Sequence, residues 1–141
     1  DGSLDRGVLR SKVFAAQTAR RQLENILHPM IRTAVTEELN LHSAAPYQII
    51  VVPLLFETGG YRDIINHSLV VDCSEQEQMR RAAARSGLAK AEVRAIMAAQ
   101  MPRMERLARA DDVLRNNGTL QDLAEAVRTR HEKYLKLFKQ A

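Results

Sequence analysis

The sequence predicts an α/β fold, with a parallel sheet flanked by helices. Three observations carry this. Short, continuous runs of β-branched and apolar residues occur at Tyr47–Val52, Leu69–Asp72 and Asp112–Arg115. Segments with helical apolar spacing separate them. Turn and capping signals punctuate the boundaries. Short buried strands alternating with helices form parallel sheets rather than hairpins, because each parallel connection needs a crossover long enough for a helix.

Taken in order, Leu4, Val8, Leu9, Val13 and Phe14 recur at helical spacing, so a first helix is expected over 4–14. A second runs from Thr18 to Leu27, with Leu23, Ile26 and Leu27 on one face. His28-Pro29 predicts a break, since proline disfavours helix at the residue before it and suits a first turn; a third helix then covers about 29–41. Pro46 closes that connection, and the first strand follows at Tyr47–Val52. Thr58-Gly59-Gly60 signals a turn, with a short helix expected at Tyr61–Ile65. After the second strand, Ser74-Glu75-Gln76-Glu77 reads as a capping box: Ser74 bonds the backbone of Glu77 and Glu77 reaches back. That helix should run to Arg85 and stop at Gly87. Helices are expected at Ala91–Gln100 and, restarted by Pro102, to about Ala110. Asn116-Asn117-Gly118 is a tight turn after the third strand, Asn-Gly favouring positive φ. Thr119 caps a last helix to about Phe138, with Leu120, Leu123, Ala126, Val127, Tyr134 and Leu135 inward.

The 141 residues, 45% of them apolar, are enough for one compact domain. The longest apolar run, Ile49–Phe56, falls far short of the ~20 residues of a membrane-spanning helix. Asp1-Gly2-Ser3-Leu4-Asp5-Arg6 does not open as a signal peptide. The single cysteine, Cys73, excludes an internal disulfide framework and a cysteine-built zinc site, and fits a reducing cytoplasm; it reads as a packed small residue. His42, His67 and His131 have no metal-ligand spacing and read as structural or solvent-facing. The net charge is +4, but Gln78–Arg109 holds eight positive residues against Glu92 and Glu105, and seven of the eight are arginine. Arginine forks suit phosphate oxygens, so an anionic ligand fits, as does a merely solvated helical face. Aromatic residues make up only 4% and do not interleave with the arginines, which argues against a nucleic-acid surface.

Ligands of open parallel sheets bind beyond the carboxyl ends of the strands. That expectation places Leu54–Gly60, Asp72–Ser74 and Asn116–Gly118 near one rim.

Five pieces of sequence, in order, resemble one family. Val51-Val52-Pro53-Leu54-Leu55-Phe56-Glu57-Thr58-Gly59 is similar to the Val-Pro-Leu-Leu-Phe-Glu segment of dephospho-coenzyme A kinases. So are Leu69-Val70-Val71-Asp72 with Glu75, Gln78 and Arg81, and Ala98-Ala99-Gln100-Met101-Pro102-Arg103 with Glu105-Arg106-Leu107. Ala110-Asp111-Asp112-Val113-Leu114 with Asn116-Asn117-Gly118 continues the match. Upstream, Leu4-Asp5-Arg6, Leu9-Arg10 and Leu27-His28-Pro29-Met30-Ile31 also fit. The resemblance implies a P-loop kinase-like parallel sheet, a helical acceptor-substrate region over about 4–45 and an arginine-bearing lid over 88–110, within a single partial kinase domain. It implies transfer of the ATP γ-phosphoryl group to the ribose 3′-hydroxyl of dephospho-coenzyme A, with ATP as co-substrate and Mg²⁺.

The family's Gly-Lys-Ser or Gly-Lys-Thr phosphate loop has no counterpart here: Gly59-Gly60 is followed by Tyr61-Arg62. Backbone amides of that loop hold phosphates and its hydroxyl holds Mg²⁺. The expectation is therefore a fragment, or the observed part of a longer chain, that is inactive alone, with no metal ligand among these residues and Mg²⁺ held mainly elsewhere.

The resemblance places a functional lid arginine at Arg103, where a plain surface arginine after Pro102 is the other reading. Arg106, three residues on, would hold a second phosphate oxygen or pair with Asp111 or Glu105; Arg109 reads as a solvated charge. His28-Pro29 would lie near the acceptor substrate, or His28 would cap a carbonyl. Leu54, Leu55 and Phe56 would wall the adenine or pantetheine of the acceptor with Glu57 reading a polar group, or serve as core; Tyr61 and Arg62 would flank the same pocket. Asn116, Asn117 and Gly118 would border the ATP adenine, or form only a turn. Asp72, ending an apolar strand, reads as a capping or structural carboxylate rather than a magnesium ligand. The competing reading is a non-catalytic P-loop-kinase-like domain that binds a nucleotide or a protein partner; a basic RNA-binding module rests on charge alone.

Overall fold

The computed structural model describes residues 4–138. Among them are seven helices and two strands: α1 (Arg6–Ala15), α2 (Gln17–Leu41), α3 (Leu55–Thr58), β1 (Leu69–Asp72), α4 (Glu75–Ser86), α5 (Lys90–Ala98), α6 (Arg103–Arg109), β2 (Asp112–Arg115) and α7 (Leu120–Phe138). The chain divides into two compact units, Asp1–Ile50 and Val51–Ala141.

The first unit is helical. Asp5 caps α1, its Oδ1 accepting from the amides of Gly7 (2.9 Å) and Val8 (3.0 Å). The helix packs against α2, yet Val8 stays half-exposed, as does Leu4 ahead of the helix. The expected break at His28-Pro29 does not occur: α2 runs through Pro29 for 25 residues. Proline inside a helix costs about 3 kcal/mol, through the lost amide and the clash one turn back. Here twelve helical residues precede it and twelve follow without a glycine, so the ladder is long enough on both sides to carry that penalty. Gln48 then ties back to the end of α2, its Nε2 donating to the Leu39 carbonyl at 2.8 Å.

The expected strand at Tyr47–Val52 is absent. These residues carry no ladder, and Ile49 and Val51 are 72% and 87% exposed. β-branched residues favour extended backbone, but a strand exists only through its hydrogen-bonded neighbour.

The second unit is built on a parallel pair, with Leu69 opposite Asp112 and Asp72 opposite Arg115. Ladder bonds extend past both ends, from the Asp112 amide to the Ser68 carbonyl (3.0 Å) and from the Asn116 amide to the Asp72 carbonyl (2.7 Å). Val93, Leu114 and Tyr134 form the buried apolar core. α4 packs on α5, and α7 lies against β2. Of the apolar face expected on α7, Tyr134 is buried, but Leu120 and Val127 point outward.

Local signals account for the helix ends. Ser74 caps α4 by accepting from the Glu77 amide at 3.2 Å, and Gly87 closes it at φ 68°. The reciprocal half of that capping box is not made: the Ser74 amide donates to Asn117 Oδ1 (2.8 Å), and Glu77 turns to Arg80 and Arg81. Three bonds from two guanidinium groups replace the single carboxylate–amide bond of the box. The short helix expected at Tyr61–Ile65 is a turn; helix forms earlier, at Leu55–Thr58. Leu54 opens it in the left-handed region (φ 60°), and its carbonyl accepts from both the amide and the hydroxyl of Thr58 at 3.1 Å. Neither Asn117 nor Gly118 has positive φ. Gly118 is needed for space instead: a Cβ there would stand 2.5 Å from Asp122 Oδ2, the oxygen that accepts from the Thr119 amide (2.8 Å) and hydroxyl (2.7 Å).

Gly118→Ala should therefore dislodge Asp122 from the α7 cap and cost about 1 kcal/mol, the worth of one cap. A urea melt should show the midpoint falling with the slope unchanged; an unaltered midpoint would show that the cap tolerates the methyl group.

Candidate functional site

Each end of the ladder carries a carboxylate that collects cations. At the carboxyl end, Asp72 is buried, its side chain 1% exposed. Arg103, the first residue of α6, grips it side-on: Nε to Oδ1 at 2.7 Å and Nη2 to Oδ2 at 2.6 Å. Arg115, at the end of β2, brings Nη1 to 3.9 Å from the same Oδ2. The hydrogen bond from Arg103 holds the Asp72 carboxyl below its usual range, with the charges of Arg115 and Arg106 adding to it against the opposing effect of burial. Asn116 and Asn117 bond the Asp72 carbonyl and the Ser74 amide, so the turns after both strands are tied together.

At the amino end, Asp112 is surrounded by donors. Arg130 Nη1 bonds Oδ1 at 2.6 Å, Lys133 Nζ bonds both oxygens at 2.9 Å, and the Tyr134 hydroxyl donates to Oδ2 at 3.1 Å. His67 Nε2 lies 3.0 Å from Oδ2, its ring edge-on to Tyr134 and Phe138. Burial opposes ionisation of Asp112, but the bonds from Lys133, His67 and Tyr134 and the charge of Arg130 together hold its carboxyl well below the usual range. Beside it, Asp111 Oδ2 accepts from both the amide (2.8 Å) and the hydroxyl (2.6 Å) of Ser68.

A third feature is an open groove of about 390 Å³ lined by Leu55, Phe56, Arg62, Ile65, His67 and Arg109, among others. It lies toward the amino ends of the strands, because Ser68 and Asp111 also border it. Leu55, Phe56 and Arg62 come together in one groove with Arg109 toward the amino ends of the strands, not with Asn116 and Asn117 at the carboxyl-end rim expected for Leu54–Gly60. Glu57 faces elsewhere: its Oε1 accepts from the Met101 amide at 3.0 Å, two residues before Arg103. Leu54 serves the backbone turn described above, and the Tyr61 backbone carbonyl accepts from the amides of Ile64 and Ile65 in the turn that follows.

Arg106 takes neither partner expected for it. Glu105 pairs with Arg109, and Asp111 with Ser68, which leaves Arg106 acting on Asp72 through its charge. His28 and Pro29 sit mid-helix in the first unit, on exposed turns of α2. Among the described residues, no group of three or more His, Cys, Asp or Glu side chains is placed to hold a metal ion. No described helix is long and apolar enough to cross a membrane. Sequence reasoning passed over the Asp112 cluster. Its signal was there in Arg130, Lys133 and Tyr134, which share one helical face by their spacing of three and four, and in an acidic residue placed directly before the apolar pair Val113-Leu114.

The family model for dephospho-CoA kinase (CoaE) matches residues 1–122. The chain belongs to the dephospho-CoA kinase family. It is 53% identical over 137 residues to the dephospho-CoA kinase of Nitrosospira multiformis, covering 97% of this chain and 68% of that protein. With the enzyme of Thiobacillus denitrificans the identity is 52%, over 97% of this chain and 67% of the relative. Among solved structures, a Thermus thermophilus protein superposes with a TM-score of 0.77 at 39% identity, over 94% of this chain and 68% of that one. The dephospho-CoA kinase of Campylobacter jejuni gives 0.67 at 26%, over 95% and 67%. The chain thus spans about two thirds of the length of the relatives it matches. The small parallel sheet is that of a P-loop kinase-like fold, and the dephospho-CoA kinase family resemblance read from the five sequence pieces holds across the chain.

Glu77 sets a pH expectation. The hydrogen bonds from Arg80 and then Arg81 lower its pKa from 4.5 to about 2. A folded-state value below the unfolded one adds stability above the unfolded pKa and loses it as pH falls through the folded one. Stability should therefore hold from neutral pH to about 5 and decline between 4.5 and about 2 as Glu77 protonates; Asp72 and Asp112, also held below the usual carboxylate range by their partners, add to the acid loss. Glu77→Gln should flatten part of that decline in acid-titrated melts; an unchanged acid limb would show the Arg80–Glu77–Arg81 cluster adds nothing.

Proposed function

We propose that the full-length protein carrying this chain transfers the γ-phosphoryl group of ATP to the ribose 3′-hydroxyl of dephospho-coenzyme A. Membership of the dephospho-CoA kinase family supports it, and the observation that carries it at the level of residues is the convergence of Arg103, Arg106 and Arg115 on one buried carboxylate at the carboxyl ends of both strands. Phosphoryl transfer spreads charge over the equatorial oxygens of the moving group, and prepositioned arginines stabilise it there. Arg103 and Arg106 are the residues for this role, on a lid comprising residues 88–110. On the family resemblance, Leu55, Phe56 and Arg62 offer an apolar wall and a cation to a part of the acceptor remote from the transferred group, since their groove lies toward the amino ends of the strands and Arg103 at the carboxyl ends; Leu54, Glu57 and Tyr61 shape the turn that presents them. His28 and Pro29, in the helical region of about 4–45, are acceptor-substrate residues on the strength of the family resemblance. Asn116, Asn117 and Gly118 border the adenine of ATP: Asn117 spends its carbonyl oxygen on Ser74 but keeps its amide donors for a base edge.

Mg²⁺ accompanies ATP in this reaction class. The described residues do not fit a site for it, since Arg103 occupies both oxygens of Asp72 and no other ligand cluster forms. The 141 residues contain no Gly-Lys-Ser or Gly-Lys-Thr loop, so by themselves they should not turn over. A cytoplasmic enzyme suits these soluble substrates.

The test is ADP release by the full-length protein with and without dephospho-coenzyme A. Acceptor-dependent release is expected, with Arg103→Ala lowering kcat by about 100-fold or more. Nucleotide or partner binding without acceptor-dependent release would favour a non-catalytic kinase-like domain instead.

A further inference from the structure

The side-on grip between Asp72 and Arg103 leaves a specific chemical remainder. A guanidinium has N–H donors on three nitrogens. Pairing through Nε and Nη2 leaves both Nη1 hydrogens and the second Nη2 hydrogen outside the ion pair. Asp72 is almost wholly buried, while the Arg103 side chain keeps 26% of its surface open. One edge of the fork is therefore anchored and another edge is left for a ligand.

The anchor is itself held from two sides. The Asp72 carbonyl accepts from the Asn116 amide at 2.7 Å, and the chain two residues on is tied through the Ser74 amide to Asn117. The carboxylate has little freedom to follow a moving arginine. Its negative charge faces Arg103, Arg106 and Arg115 together, and with Glu75, which also acts on Arg103, two carboxylates stand against three arginines, so the rim keeps a positive excess. A structural ion pair between one carboxylate and one arginine would leave no such excess.

We propose that Asp72 is a positioning residue for Arg103: it orients the guanidinium so that its free edge meets phosphoryl oxygens, and it does not itself touch substrate. This rests on the reading of Arg103 as a phosphate-contacting arginine. Orientation by a fixed carboxylate removes most of the rotamer freedom the arginine would otherwise lose on meeting the ligand.

A kinetic cycle in the full-length protein tests it, with Asp72→Asn, Arg103→Lys and the double variant. Lysine keeps the charge at 103 but has no fork for Asp72 to orient. Asp72→Asn alone should lower kcat about 10- to 100-fold with KM for dephospho-coenzyme A little changed, whereas in the Arg103→Lys background it should cost less than about twofold. Asp72→Glu, which keeps the charge and returns two oxygens, should recover part of the loss and covers the case in which the asparagine variant does not fold. Losses that multiply in the double variant, or a lowered melting temperature with kcat intact, would overturn the proposal by making Asp72 a structural carboxylate. A kcat unchanged by Arg103→Lys alone would instead overturn the phosphate role of Arg103 and the positioning role with it, and that single variant tells the two failures apart.

Discussion

A parallel ladder of two four-residue strands is about 13 Å long, too short to bury its own ends. Its ends must be closed by side chains, and an aspartate does this at each. Asp112 at the amino end gathers Arg130, Lys133, Tyr134 and His67, which fixes α7 against the sheet. Asp72 at the carboxyl end takes Arg103, which fixes the start of α6. A buried carboxylate stripped of its partners is strongly destabilising, whereas a fully paired one roughly offsets its own desolvation. The pairs therefore act less as a source of stability than as a constraint on which elements can lie where.

That constraint separates the two ends by function. The amino-end carboxylate is saturated by donors from one helical face and the loop before β1, so it has no remaining capacity for a ligand. The carboxyl-end carboxylate is outnumbered by arginines, so the rim stays positive. The same residue type thus closes the ladder at one end and leaves an anion-seeking surface at the other, and the difference is how the cations are spent: Arg130 and Lys133 bond Asp112 directly, whereas at Asp72 only Arg103 does, with Arg115 at 3.9 Å and Arg106 acting through its charge.

The turn that carries Leu54–Glu57 connects these regions. Its left-handed Leu54 and glycine-closed helix send Leu55 and Phe56 into the groove with Arg62 and Arg109, while Glu57 bonds the amide of Met101 beside the arginine-bearing helix. Strained backbone of this kind costs of order 1–3 kcal/mol and persists where surrounding contacts over-determine it. Here the two Thr58 bonds to the Leu54 carbonyl supply that support.

Local signals were legible without coordinates. The Ser74 cap, the Gly87 stop, the restart at Pro102 and the strands at 69–72 and 112–115 depend on neighbours within a few residues, and they formed where the sequence placed them. The family was legible too, because five motifs in order are jointly specific. What failed was whatever needed a distant partner or a comparison of competing energies. Tyr47–Val52 has the composition of a strand but no neighbouring ladder. Pro29 disfavours helix locally, yet the long ladder on either side outweighs it. Glu77 was suited to a capping box, but two arginines compete better for its oxygens. The motif singled out Arg103; that it grips Asp72, 31 residues away along the chain, could not be read from it. Sequence by itself determined the α/β class, the family and most helix boundaries, since these rest on spacing and local hydrogen bonds. Tertiary structure alone decided that Arg103 meets Asp72 and Arg130 meets Asp112, because pairing between distant elements depends on where two strands and two helices finally lie.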